Sequence, residues 1–206
     1  DLVVLYSTVA VYGYVSVCQA DEHSPCQPRT AYAKSKLQAE RLVLNGSVEG
    51  PPEGVVLRLP LAYGPFDKGN MARLITAIWR RRFLRFGAAA SQRSMISSRN
   101  AAVGAVRAGL QPEAAGRVFC LTDGRDYTIE DLIDTICTVL DMNWRPVRLP
   151  ESVAVLAGWC GDLLQALGCR RIPVSSDIVA KFTRPLTFTS RLATSIVGYE
   201  PTEPLQ

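Results

Sequence analysis

Two rhythms of apolar and polar positions divide the first third of the chain. Residues 1–7, DLVVLYS, form a continuous apolar run rich in β-branched side chains. That is how a parallel strand buried on both faces reads. A second run of this kind covers residues 55–59. Between the two lie a loop punctuated by Gly13, Pro25 and Pro28, and a predicted helix over residues 30–44 closed by Asn45-Gly46. The linker EGPPEG follows. Strand, helix and strand in this order form a βαβ unit, so the spacing predicts a parallel sheet with helices on its faces.

From residue 70 the pattern shifts. A helix is predicted over 71–82, then a polar Gly/Ala/Ser loop, a helix over 100–110 and a strand over 117–122. Another helix follows TDGRDYTIEDL, where Thr128 and Asp131 have the spacing of a capping box. The remainder, from VRLPESVAVLAGW to VGYEPTEPL, reads as helical with short loops. This half looks like a smaller mixed lobe beside the sheet. There is no internal repeat and no low-complexity segment.

Composition narrows the class. With 206 residues, 48% hydrophobic and 20% charged, the chain can bury a core for one large domain, or one domain and a small lobe. The apolar stretch 153–168 is interrupted by Asp162 and falls short of the roughly 20 apolar residues of a bilayer span, so it is predicted as a buried helix. DLVVLYST has neither a basic leader nor a small-residue cleavage site and reads as a strand. Six cysteines without a CxxC pair point to free thiols in a reducing cytoplasm. His23 is the one histidine, which excludes a His-rich metal site and a Ser-His-Asp triad built on any other histidine. Its loop, DEHSP, suggests a solvated side chain, and no metal site is predicted.

The net charge is +4, concentrated in WRRRFLR at 79–85. A basic final turn facing the negative end of a helix dipole accounts for that run better than nucleic-acid binding does. A mildly basic balance also suits a small phosphorylated ligand. No GxGxxG, GxxGxxG or GxxxxGK[ST] occurs anywhere, so the chain carries no recognisable dinucleotide or phosphate-loop fingerprint.

The chemistry-bearing stretch is RTAYAKSKLQAE, residues 29–40. On a helix, Tyr32 and Lys36 share one face a turn apart. A free phenol has a pKa near ~10, and a fixed cation beside it favours the phenolate. The pair is therefore an acid/base candidate, although the same spacing is common on ordinary helix surfaces. Ser7 and Thr8 stand at the end of the first strand, where ligands bind in open α/β sheets. A hydroxyl there can bond the substrate oxygen whose proton Tyr32 moves, or it can cap a turn; both readings stay open.

With STVAVYG at 7–13, YAKSK at 32–36 and LRLPLAYGP at 57–65, the chain resembles the extended short-chain dehydrogenase/reductase family. The likeness is greatest to its nucleotide-sugar epimerases and 4-keto reductases. KGNMARLI (68–75), RSMISSRNAAVGAV (93–106) and the terminal VGYEP extend the resemblance over nearly the whole chain. It implies an α/β fold, with the C-terminal portion of a Rossmann-like parallel sheet and a smaller mixed α/β substrate lobe. Residues 1–66 would be what remains of the dinucleotide-binding domain. Residues 67–206 would be mostly substrate lobe, with 94–122 partly returning to the sheet.

The resemblance also implies roles. Tyr32 becomes the catalytic base, and Lys36 the residue that holds the nicotinamide ribose and lowers the tyrosine pKa. Thr8 orients the sugar oxygen. Ser7 and Pro60 join Tyr32 and Lys36 on the cofactor side, with the Pro60 and Leu61 backbone beside the nicotinamide and Leu61 also facing substrate. Asn70 would open the helix that receives the nucleotide, and Arg93 would contact the diphosphate. Without the resemblance, Asn70 reads as a helix cap and Arg93 as a surface ion pair.

The implied reaction is hydride transfer at sugar C4 with NAD as cofactor, NADP not being excluded, on a nucleotide-diphosphate sugar. A cytoplasmic homodimer paired through the Tyr32 helix is implied too. Val9 and Ala10 stand where the related 4,6-dehydratases carry an Asp-Glu pair, which argues against dehydration. Leu61 replaces an asparagine of many hexose epimerases and leaves room for the amino-sugar or deoxy-sugar branch. The family's glycine-rich front has no counterpart here, so the chain is expected to be part of a longer protein. A hydroxysteroid dehydrogenase-like enzyme of the same fold, or a non-catalytic module, are the alternatives.

Overall fold

The computed structural model describes residues 2–13, 18–49, 53–86, 91–150 and 185–202, with scattered positions between 152 and 162. Two compact units divide the chain. The first comprises Asp1–Asp67, Ser94–Asp126 and Leu186–Gln206, and the second Lys68–Arg93 and Tyr127–Pro185.

The two apolar runs become strands β1 (Leu2–Thr8) and β2 (Glu53–Leu59). They pair in parallel, from Leu2 opposite Glu53 to Thr8 opposite Leu59. A third strand, β6 (Val118–Cys120), runs parallel along the other edge of β2, with Arg58 opposite Cys120. The expected mixed α/β class with a parallel sheet is what the molecule has.

Side chains of a strand alternate between faces, and here the alternation sorts chemistry. Val55, Leu57 and Leu59 of β2, with Leu2 and Val4 of β1, pack into a core with Ala101, Ala108, Ala193 and Val197. Those four belong to α3 (Ser98–Leu110) and α5 (Arg191–Val197). The opposite face takes α1 (Ala31–Glu49), which packs on β1 and β2. At Gly54 the approach is so close that a Cβ would lie 2.3 Å from Val43 Cγ1 and 2.5 Å from the Val43 carbonyl oxygen. Only glycine admits that distance.

α1 does not stop at Asn45-Gly46 as the sequence predicts; it continues to Glu49. Glycine ends a helix by turning left-handed just past it, and Gly46 remains helical. Pro60 then interrupts the chain after β2, and Leu61–Tyr63 departs as β3 into a second sheet. That sheet has the order β3, β5 (Gln92–Ser97), β7 (Asp126–Thr128). Strand β5 lies where the sequence reads as polar loop. Its serines are buried because their partners are supplied from elsewhere. Ser94 Oγ donates to Asp126 Oδ1 at 2.5 Å and accepts from the Phe188 N–H at 2.8 Å, and the Ser97 N–H donates to Asp123 Oδ1 at 2.9 Å.

In the second unit α2 (Asn70–Trp79) packs against α4 (Ile129–Val139). Met71 and Ile78 of α2 are buried, as are Leu132, Ile133 and Ile136 of α4. The predicted capping box forms: the Thr128 N–H donates to Asp131 Oδ2 at 2.8 Å and the Asp131 N–H to Thr128 Oγ1 at 3.0 Å. Helix α2 ends before the arginine run and has no basic last turn, because Arg81 adopts φ 55° and breaks the helical path. The arginines instead follow the helix end. Short strands β4 (Arg85–Phe86) and β8 (Arg148–Leu149) pair in parallel, and Arg85 bridges to Glu130 at 3.0 Å.

Where the stretch 153–168 is described it is helical as expected, but Val153, Val155, Leu156 and Trp159 are exposed rather than buried. Apolar side chains are free to stand on a surface, so hydropathy alone does not dictate burial. The rest of that stretch, and most of the predicted helical segment up to residue 184, lie outside the described residues. Among the described residues no helix is long and apolar enough to cross a membrane.

Candidate active site

Parallel strands with level C-terminal ends create a ledge where ligands of open α/β sheets bind. Thr8 and Leu59 face each other at that ledge, and Pro60 and Leu61 follow directly. Pro60 is buried and Leu61 half-buried. Thr8 Oγ1 accepts the Ala10 N–H at 3.2 Å and caps a short 3-10 turn, Val9–Tyr12. The cap uses the oxygen as acceptor and leaves the hydroxyl proton available, so turn capping and substrate contact are compatible roles.

Helix α1 starts at this ledge. Thr30 Oγ1 accepts the Ala33 N–H at 3.1 Å and sets the first turn, in which Tyr32 is 57% exposed. One turn on, Lys36 Nζ donates to the Tyr6 carbonyl at 3.0 Å, two residues before Thr8. Another turn on, Glu40 is 1% exposed and accepts a hydrogen bond from Ser7 Oγ. The series 32, 36, 40 thus runs along one helix face from solvent into the core. Ser7, Thr8, Lys36, Pro60 and Leu61 come to one end of the sheet, with Tyr32 a turn before Lys36.

Beneath the ledge lies a charged cluster that sequence reasoning missed. Arg58, 5% exposed, donates from Nη2 to Glu40 Oε2 at 2.7 Å and from Nε to both carboxylate oxygens at 3.2 Å. Its Nη1 donates to Tyr12 Oη at 2.8 Å, and the guanidinium carbon lies 4.8 Å from the Tyr12 ring centre. Tyr12 Oη also meets Cys120 Sγ at 3.2 Å, while the Cys120 N–H donates to Glu22 Oε1 at 2.6 Å.

Burial opposes the Arg58 charge, yet the Glu40 and Tyr12 hydrogen bonds outweigh it and hold the guanidinium pKa above its ordinary value. Burial, followed by the Glu22 carboxylate, pushes the Cys120 thiol up to about 12. Burial likewise raises the Tyr12 phenol, against the pull of Arg58. A signal for the cluster was present. Arg58 interrupts the apolar run VVLRLP, and Glu40 continues the spacing of Tyr32 and Lys36.

Asn70 and Arg93 belong to the second unit. Asn70 is exposed at the first position of α2, but the N-cap is Gly69, so the helix-cap reading does not hold. Arg93 is half-buried on β5 rather than a surface residue, and burial lowers its pKa. His23 is exposed and its backbone N–H donates to Asp21 Oδ1 at 3.1 Å. Cys18, Cys26, Cys120 and Cys137 are free thiols, and Cys160 and Cys169 lie outside the described residues.

The parallel sheet carries a hydroxyl at one strand end, and the helix bearing Tyr32 and Lys36 docks beside it. Residues 1–141 match the NAD dependent epimerase/dehydratase family, and the chain belongs to it. It is 29% identical over 189 residues to the N-acetyl-alpha-D-glucosaminyl-diphospho-ditrans,octacis-undecaprenol 4-epimerase of Escherichia coli O157:H7, covering 90% of this chain and 56% of that protein. It is 28% identical over 188 residues to the UDP-glucose 4-epimerase of Vibrio cholerae, covering 90% of this chain and 52% of that one. The chain therefore spans about half the length of these relatives. The same fold occurs in UDP-glucuronic acid 4-epimerase from Bacillus cereus, solved with UDP-glucuronic acid and NAD. The TM-score is 0.73 at 20% identity, over 100% of this chain and 58% of that chain.

The donor set at the ledge fits a ribosyl group. An ammonium carries three N–H donors, and Lys36 commits one of them to Tyr6.

Proposed function

We propose that the protein acts as a nucleotide-sugar 4-epimerase or 4-keto reductase, with Tyr32 as its proton-transfer group. The observation that carries this reading is the seating of Lys36 on the Tyr6 carbonyl, beside Thr8, with Tyr32 on the same helix face. The nucleotide-sugar epimerases among its relatives support it over a steroid substrate.

In this reading Lys36 holds the nicotinamide ribose through its remaining N–H donors, with Ser7 and Pro60 forming the strand-end floor. NAD supplies, when bound, the acceptor for the hydride leaving sugar C4. Tyr32 takes the proton of the C4 hydroxyl, and the Lys36 ammonium one turn away offers a positive charge beside that oxygen. Thr8 donates its hydroxyl proton to the same sugar oxygen, which orients it toward Tyr32. Loss of the hydroxyl proton to Tyr32 and of hydride from C4 leaves a 4-keto sugar. In an epimerase the hydride returns to the opposite face of C4 and Tyr32 returns the proton to the C4 oxygen; a reductase runs the step once in the reducing direction. Asn70 and Arg93 would take the nucleotide and its diphosphate, and Leu61 the sugar.

The test is Tyr32→Phe in the full-length protein, assayed with UDP-sugars. Turnover should fall by about 100-fold or more, the range for loss of a general acid/base group. Binding of NAD and of the nucleotide, followed by calorimetry, should persist. Unchanged turnover would overturn the assignment.

A further inference from the structure

We propose that Glu40, gripped by Arg58, is a positioning residue that sets the Tyr32–Lys36 helix against the Thr8 strand end. The proposal rests on the functional reading above. One carboxylate touches both strands that form the ledge: it accepts from Ser7 on β1 and from Arg58 on β2, and it is itself carried on α1. The same guanidinium reaches Tyr12 in the turn that Thr8 caps. Every element bearing a proposed catalytic group is thereby tied to a single ion pair.

The distances along the helix make the coupling direct. Glu40 lies four residues past Lys36, a rise of about 6 Å, and eight past Tyr32, about 12 Å. A slide or rotation of α1 at Glu40 therefore moves the Lys36 ammonium off Tyr6 and the Tyr32 ring with it. Apolar side chains of similar volume could fill this space, and such replacements are often neutral for stability. They would lack the directed hydrogen bonds that define one angle and one register.

Ser7→Ala, Glu40→Gln and Arg58→Lys test this in the full-length protein, with Gly104→Ala as control. A Cβ at Gly104 would meet Leu121 Cδ1 at 2.4 Å, so this variant strains the core behind the other face of the sheet. Two readouts are taken: kcat against KM, and hydrogen exchange of residues 31–37. For Glu40→Gln we expect kcat to fall about 100-fold, the scale of a misplacement near 1 Å, with KM changed less than about threefold. Exchange over 31–37 should quicken. Ser7→Ala, which leaves the ion pair intact, should show the same signs at smaller amplitude, and it carries the test if Glu40→Gln does not fold.

Wild-type kcat and exchange in the folded variants would overturn the proposal. So would an equal fall in kcat at unchanged KM in Gly104→Ala, which would reduce the cluster to a stability element. Hydrogen exchange needs no turnover. If Tyr32→Phe proves fully active, the functional reading falls, and the exchange data still decide whether the cluster seats the helix.

Discussion

The two ends of the α1 active face differ sharply. At the N-terminal end Tyr32 stands more than half exposed, and Lys36 bonds a backbone carbonyl. Two turns later Glu40 is sealed, and its carboxylate is surrounded by a serine and a guanidinium. The open end carries the groups that the proposed function uses for proton transfer. The closed end is buried and carries an ion pair. Under that proposal, chemistry at an exposed phenol needs a frame that does not drift, and the ion pair in the core is the proposed frame.

The largest expected effect comes from breaking that frame at one side. Arg58→Ala leaves Glu40 as an uncompensated buried charge, and the loss of stability should be about 3–5 kcal/mol, read from denaturant unfolding. Tyr32→Phe, at the open end, should alter stability by less than about 0.5 kcal/mol. Similar losses for the two would erase the contrast between the ends. Replacing both partners, Glu40→Leu with Arg58→Met, should recover most of the stability lost in Arg58→Ala. Turnover should not return with it if the pair positions rather than merely stabilises.

A smaller effect is expected where α1 meets β2 beyond the ion pair. Gly54→Ala would place a methyl 2.5 Å from the Val43 carbonyl oxygen, which belongs to helix backbone and cannot rotate away. The helix must lift, at a cost of about 1–3 kcal/mol typical of overpacking. Measured by thermal or urea unfolding, an unchanged stability would mean that α1 is held less firmly than its closed end suggests.

This contrast also marks what the sequence could reveal. The apolar runs of β1 and β2, and the helix between them, were legible because hydrophobic period and turn residues agree with the final fold. The Thr128–Asp131 capping box was legible for the same reason, since each of its side chains bonds a backbone N–H three positions away. Strand β5 was hidden because Ser94 and Ser97 look like loop residues until Asp126, Phe188 and Asp123 are brought beside them. Tyr32, Lys36 and Thr8 could be singled out from a motif; the joining of Glu40 to Arg58 could not. Their pairing spans 18 positions and depends on which face of β2 turns toward α1.

The gentlest probe of the comparison is thiol labelling, which asks whether the closed end ever opens. Cys18 is exposed, whereas Cys120 is buried against Tyr12 with its thiol raised to about 12. The thiolate is the reactive form, so at pH 8 a thiol of that pKa is ionised to about one part in 10⁴. A disulfide reagent should therefore modify Cys18 readily and leave Cys120 untouched in the folded protein, as read by mass spectrometry of digested samples. Raising the pH toward 10 should speed modification at Cys120 only if reagent can also enter. Labelling of Cys120 at the Cys18 rate near neutral pH would mean that the region around Arg58 and Tyr12 opens on the labelling timescale. A frame that opened in this way could not hold Tyr32 in register, and the division of α1 into a working end and a fixed end would fail.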